Sequence, residues 1–240
     1  MVNRNGLSVA AGVVLALLQS PAQGMGLRSF VALPVEKGGG VLRGTVEHTA
    51  DTDSNRFMLN AAYGISHQQT LLFGVPYRLS PGGSDRLGDI GALYRHTVLQ
   101  LDTPQGTDRL GLLAGVVVPT GGRRDEAAQA GAVFTHFRGR NELDLDVLYQ
   151  QGFGDRANAA RYDLSWQYRV RPSEYPEWGI PHESYLVTEL GGRWAQGGQT
   201  VHQFTLGLQW VVKRWVFEGG VVQDLNSPNQ THFMCSIRFH

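Results

Sequence analysis

Three carboxylates stand at alternate positions in the segment NELDLDVLYQ: Glu142, Asp144 and Asp146. A spacing of two puts side chains on one face of a β-strand, so the three form an acidic strip. On a pore wall such a strip draws cations, and replacing Asp144 and Asp146 by Asn should then change ion preference. The plainer alternative is structural. The strip pairs with Arg95, Arg109 or Arg169 inside a partly closed lumen, where a low dielectric makes each pair count for more. The second reading is favoured.

The remaining reactive side chains show no such order. Eight histidines (His48, His67, His96, His136, His182, His202, His232 and His240) are scattered along the chain. None has the i, i+4 or HExxH spacing of a zinc site. His232 and His240 share a strand face but lie too far apart to chelate together, so neither metal nor cofactor is expected. Barrel hydrolases need a Ser, His or Asp group at one rim. No GxSxG elbow and no Asn-x-His-x-Ser-like lipase pattern is present, and no spacing links Asp89, His96 or His136 to a nucleophile. The expectation is a protein that is not an enzyme. The loop GGRRDEAA could touch lipopolysaccharide phosphates through Arg123 and Arg124, although a solvated external loop accounts for its mixed charge more simply.

The elements that would position these groups are strands. In YDLSWQYRV, Tyr162, Leu164, Trp166, Tyr168 and Val170 alternate with Asp163, Ser165, Gln167 and Arg169. The same period-2 pattern marks a strand with one apolar and one polar face in NELDLDVLYQ, QFTLGLQW, TLLFGVPYRL, RFMLNAAY and THFMCSIRFH. Weaker alternation runs over Val41 to His48, Leu87 to Leu99, Arg109 to Val118, Gly131 to Arg138, Tyr185 to Trp194 and Trp215 to Gln223. Together these make about twelve strands, with no amphipathic helix among them. Short connectors such as RGRN and VVKR tend to alternate with longer ones such as PTGGRRDEAAQ and GFGDRANAA, RPSEYPEWGIP being an exception. Short turns at one end and longer loops at the other fit a transmembrane barrel.

Whether the apolar face meets a core or a bilayer is decided by four features. Many segments reach about nine to eleven residues, the length that crosses a bilayer at a tilt. Aromatics cluster near strand ends on the apolar face: Tyr77, Tyr149, Trp166, Tyr168, Trp194, Trp210 and Phe239. The opposite face carries both signs of charge, in Arg43, Glu47, Asp89, Arg95, Arg109, Asp144, Asp146, Asp163, Arg169, Glu189 and Glu218. Finally, the chain closes on an aromatic-terminated strand. Its Phe239 resembles the terminal Phe that outer-membrane barrels present to their assembly machinery, although His240 follows it here.

Composition agrees. With 21 basic and 21 acidic residues, no net field draws in nucleic acid. The 31 glycines suit turns and close backbone contacts. A single cysteine, Cys235, excludes an internal disulfide framework. At the N-terminus, MVNRNG and the apolar stretch Leu7 to Leu18 read as a signal peptide cleaved after Ala22 or Gly24. The expected organisation is signal peptide 1–24 and outer-membrane barrel 25–240. No later run is apolar and long enough for a transmembrane helix.

The stretch from Ala61 to Gly121 resembles a known family. AAYGISHQQTLLFGVPYRL, DRLGDIGALYRH and GVVVPTG are similar to the MetA-pathway phenol-degradation family of outer-membrane proteins, often labelled transporters. The shared features are a Tyr-Gly turn, a strand ending in Pro76-Tyr77, a strand start at Gly88-Asp89, the pair Tyr94-Arg95 and a strand ending in Pro119-Thr120-Gly121. Before the turn that family often has an acidic residue, where this chain has Ala62. The resemblance implies a barrel passing small aromatic or hydrophobic compounds, and no catalytic residue.

The sequence therefore predicts an all-β, antiparallel up-and-down barrel of the Gram-negative outer membrane, monomeric, with lipid and lipopolysaccharide around it and a small-molecule solute as cargo. Candidate lumen or selectivity residues are the charged set above together with Glu142. A closed barrel that binds a ligand or supports the envelope is the alternative. Large lumen side chains (Arg43, Arg95, Arg169) favour closure, and Gly74, Gly91, Gly111, Gly115 and Gly207 favour room.

Overall fold

Alternation becomes pairing all the way round. The computed structural model describes residues 26–83, 85–121, 124–174 and 182–240, so the expected signal peptide and Arg123 lie outside it. Twelve strands follow one another: β1 (Gly40–Thr49), β2 (Ser54–Gly64), β3 (Gln69–Ser80), β4 (Ile90–Thr103), β5 (Gly106–Val118) and β6 (Ala127–Arg138), then β7 (Asn141–Gly152), β8 (Ala159–Arg171), β9 (Glu183–Ala195), β10 (Val201–Val212), β11 (Trp215–Asp224) and β12 (Thr231–Phe239). Each pairs antiparallel with its neighbours in sequence, and β1 pairs with β12, closing the barrel. Closure leaves no sheet edge to lipid, which is what allows strands to span a bilayer.

Exposure follows the alternation. In β12, Phe233, Ile237 and Phe239 are exposed while Met234, Ser236 and Arg238 are buried. In β7, Leu143, Leu145, Val147 and Tyr149 point out, and Glu142, Asp144 and Asp146 point in. The buried faces are thus the polar ones, the reverse of a soluble core, and the apolar faces form the lipid-facing wall. Near the end with the short turns, aromatic pairs thicken that wall: Trp166 with Tyr168 at 5.9 Å, Trp210 with Phe217 at 5.8 Å, and Trp215 with Phe239 at 4.8 Å. Tyr77, Tyr149, Tyr162 and Trp194 stand near the loop end of their strands.

Two features depart from the sequence expectation. β4 starts at Ile90, not Leu87, and continues to Thr103. Residues before it fold back on β3: the Gly88 amide donates to Pro76 O at 2.8 Å and the Arg78 amide to Arg86 O at 2.8 Å, leaving Leu87 only an isolated bridge to Tyr77. As a result β3 and β4 share six residue pairs, whereas β4 and β5 share thirteen. The β4–β5 hairpin therefore runs on past the start of β3.

The second departure is a segment inside the barrel. Residues 26–39, a strap preceding β1, cross the lumen instead of belonging to its wall. Leu27, Val31, Ala32 and Leu33 are all buried there. The strap leaves the lumen beside β2, where the backbone of Val35 and Glu36 passes so close to Gly64 that a Cβ there would lie 2.1 Å from Glu36 O. Only glycine permits that approach.

Candidate functional site

Strand pleating turns eleven of the twelve sequence candidates inward: Arg43, Glu47, Arg95, Arg109, Glu142, Asp144, Asp146, Asp163, Arg169, Glu189 and Glu218. Asp89 is the exception, and the structure corrects it. It precedes β4 at the loop end and binds two arginines from other loops, Arg124 at 3.0 Å and Arg156 at 2.9 Å. Arg156 also donates to Asp125 O at 2.7 Å. Asp89 thus ties together the β3–β4, β5–β6 and β7–β8 loops, and Arg124 is engaged with it. Asp89→Asn should loosen these loops at a cost of about 1 kcal/mol, as for partly exposed pairs. Limited proteolysis of the protein in liposomes should show faster loop cleavage; an unchanged rate would mean that the loops hold without it.

The acidic strip of β7 has different partners from those expected. Asp146 faces Arg161 at 3.4 Å and accepts the Phe30 amide at 2.7 Å. Asp144 accepts from Thr135 and from Gln167 at 3.0 Å, and Glu142 has no ion pair among the described residues. The predicted partners are occupied elsewhere. Arg95 donates to the strap carbonyls of Val31 and Leu33 and to Thr70 Oγ1. Arg109 lies 3.6 Å from Asp102, and Arg169 Nε donates to Pro172 O at 3.2 Å. The reason is register. Along the sheet Asp146 stands opposite Asp163, and Arg161 shares the inward face of β8 one pleat away.

Four ionic groups divide the lumen. Asp163 holds Arg193 at 2.7 Å and Arg161 at 3.3 Å. Glu218 lies 2.8 Å from Arg43 and 3.6 Å from Arg238. Glu47 holds Arg56 at 2.9 Å and Arg28 of the strap at 3.8 Å. Glu189 receives the strap backbone, the Arg28 amide at 3.0 Å and the Ser29 amide at 3.3 Å. Charges of both signs are interleaved across these groups.

Sequence reasoning missed the strap, although its residues make many of the contacts at the centre of the lumen. Arg43 donates to the carbonyls of Gly26 and Leu27. The Ala32 amide donates to Thr135 Oγ1 at 2.9 Å, and the Phe30 ring lies under the Arg161 guanidinium, 4.2 Å from centroid to Cζ. Two apolar clusters flank these polar contacts. One gathers Leu27 with Val187, Val216, Val222 and Met234; the other gathers Ala32 with Leu93, Leu113, Val133 and Leu148. Leu27 fits over the cross-strand pair Gly207 and Gly220, where a Cβ on Gly207 would come within 2.4 Å of its side chain. An apolar run between a leader and the first alternating strand is the one signal that could have flagged the strap.

No protein-family model matches the sequence, and no curated protein does. Solved structures do match. The KdgM porin superposes with a TM-score of 0.56 at 9% identity, over 83% of this chain and 98% of its own. An outer-membrane channel from Pseudomonas putida F1 gives a TM-score of 0.61 at 15% identity, over 87% of this chain and 97% of its own. The fold is that of outer-membrane barrels, at a likeness that speaks for architecture alone.

Proposed function

We propose that the protein passes small molecules, aromatic or hydrophobic ones among them, through the lumen of an outer-membrane barrel. One observation carries the reading: the middle of the lumen holds a stretch of backbone, residues 26–33, bent at Leu27 to Ser29, in addition to the side chains of the wall. A barrel wide enough for a polypeptide chain is wide enough for a small solute, in keeping with a strand number between filled eight-stranded barrels and open porins. The apolar clusters supply surface for an apolar solute, and the likeness of Ala61 to Gly121 to the phenol-degradation family supports an aromatic one. Two of the similar structures are, by name, a porin and a channel. Bilayer lipid and lipopolysaccharide surround the barrel in this reading, and the strand ending at Phe239 is what its assembly machinery recognises.

The strap also favours a second reading, a closed barrel that binds a ligand or supports the envelope. Swelling of liposomes carrying the refolded protein separates the two, with folding checked by heat-dependent gel mobility. Passage predicts swelling with small sugars and phenolic compounds. Inserted, folded protein that gives no swelling, either intact or with residues 26–35 removed, supports the closed barrel.

A further inference from the structure

The strap is held as a bound peptide is held. Between residues 28 and 33 its amides donate to side chains of the wall: Glu189, Asp146 and Thr135. Its carbonyls accept from Arg43 and Arg95. Its apolar side chains enter two separate clusters, one of them notched by a glycine pair. Donors met by carboxylates, acceptors met by guanidinium groups and side chains met by apolar recesses are the elements of a ligand site. The strap's strand-like contact with the wall is confined to one bridge, Lys37 with Gly64.

At its C-terminal end the strap runs directly into β1. Three consecutive glycines, Gly38 to Gly40, join it to β1. Gly38 has a φ of 76°, in the region that favours glycine, and no atom stands within 4 Å of where its Cβ would be. This turn is fastened to β2, Gly38 N donating to Gly64 O at 2.8 Å and Gly64 N to Gly39 O at 3.0 Å, so the part of the strap that can leave the lumen lies N-terminal to Lys37, which bridges Gly64. The strand pairings of the wall close without any contribution from residues 26–36.

We propose that the lumen wall facing residues 26–33 is a binding site for a peptide-like chain with apolar side groups. The strap is its resident and displaceable occupant, latched by Asp146 and Glu189, and it closes the passage while in place. The proposal rests on the passage reading above and adds to it what fills the site and what releases it.

Three proteins test it in planar bilayers: the intact chain, a variant lacking residues 26–35 with its leader kept, and Asp146→Asn combined with Glu189→Gln. Folding of each is checked by heat-dependent gel mobility. The probe is a synthetic peptide of residues 26–33, GLRSFVAL, with a scrambled peptide as control. The expected result is a several-fold rise in conductance for the deletion variant and a smaller rise for the neutralised one. Added peptide should block the deletion variant, and the scrambled peptide should not. An intact protein that already conducts as well as the deletion variant overturns the strap as closure and leaves passage standing. A folded deletion variant that does not conduct overturns passage as well. Equal block by both peptides, or by neither, overturns the binding site, and a neutralised protein identical to the intact one overturns the latch.

Discussion

Replacing Glu218 by Gln should destabilise the barrel by about 3–5 kcal/mol, the range for breaking a buried ion pair from one side. Glu218 is the carboxylate between Arg43 and Arg238, at 2.8 Å and 3.6 Å, and it also accepts from Ser236. Its side chain is wholly buried, as is nearly all of Arg238. The amide keeps the volume and removes the charge, so the two guanidinium groups of Arg43 and Arg238, paired directly opposite each other on the adjacent strands β1 and β12, are left side by side without their shared carboxylate. Arg43 keeps the strap carbonyls as acceptors. Arg238 has no other ion pair among the described residues. Thermal unfolding in detergent, followed by gel mobility, should show a markedly lower midpoint, with partial recovery when Arg238→Met is added. An unchanged midpoint would mean that lumen water screens these charges and that the network is not structural.

The second large effect lies on the other face of the same sheet. Leu206 stands midway along β10, 48% exposed, between the inward-facing Thr205 and Gly207. Arginine at the midplane of a barrel's lipid face costs about 2–4 kcal/mol. Leu206→Arg should therefore weaken folding into bilayers by that amount, while Leu206→Ala, which keeps the face apolar, should cost far less. Urea titration of the two variants in liposomes makes the comparison. Equal stability would mean that this wall does not meet hydrocarbon, and the transmembrane placement would fall with it.

The strands were legible because period-2 alternation is local: Tyr162 to Val170 declares its two faces without reference to any other segment. The inward set followed from the same parity, which is why Arg43, Arg95, Asp144 and Glu189 all arrived inside. What the sequence withheld depends on distance along the chain. Arg161, not Arg95, Arg109 or Arg169, meets Asp146, because pairing across a tilted barrel depends on register and single-sequence parity carries no register. The strap is the extreme case. Phe30 and Asp146 are 116 residues apart, and nothing in GLRSFVALPVEKGG is periodic. β4 was cut short for a local reason. A bulge between Thr97 and Leu99 exchanges the faces, so the alternation breaks in mid-strand and the remainder resembles a loop. Asp89 went astray because a charge one residue outside a strand carries the same parity as one inside it.

The step between β3 and β4 bears on how deeply the barrel sits. The Thr97 amide still reaches Gln68 O at 2.8 Å, but from Val98 to Thr103 that side of β4 has no strand partner among the described residues. Those six residues represent about 20 Å of chain whose outward backbone groups need a solvent. Hydrocarbon cannot serve, since each unmet amide or carbonyl there costs several kcal/mol. The apolar layer must therefore end near Thr97, and the hairpin tip beyond it stands in water on the short-turn side. A row of backbone groups thus acts as a waterline, independent of the aromatic residues that usually mark one.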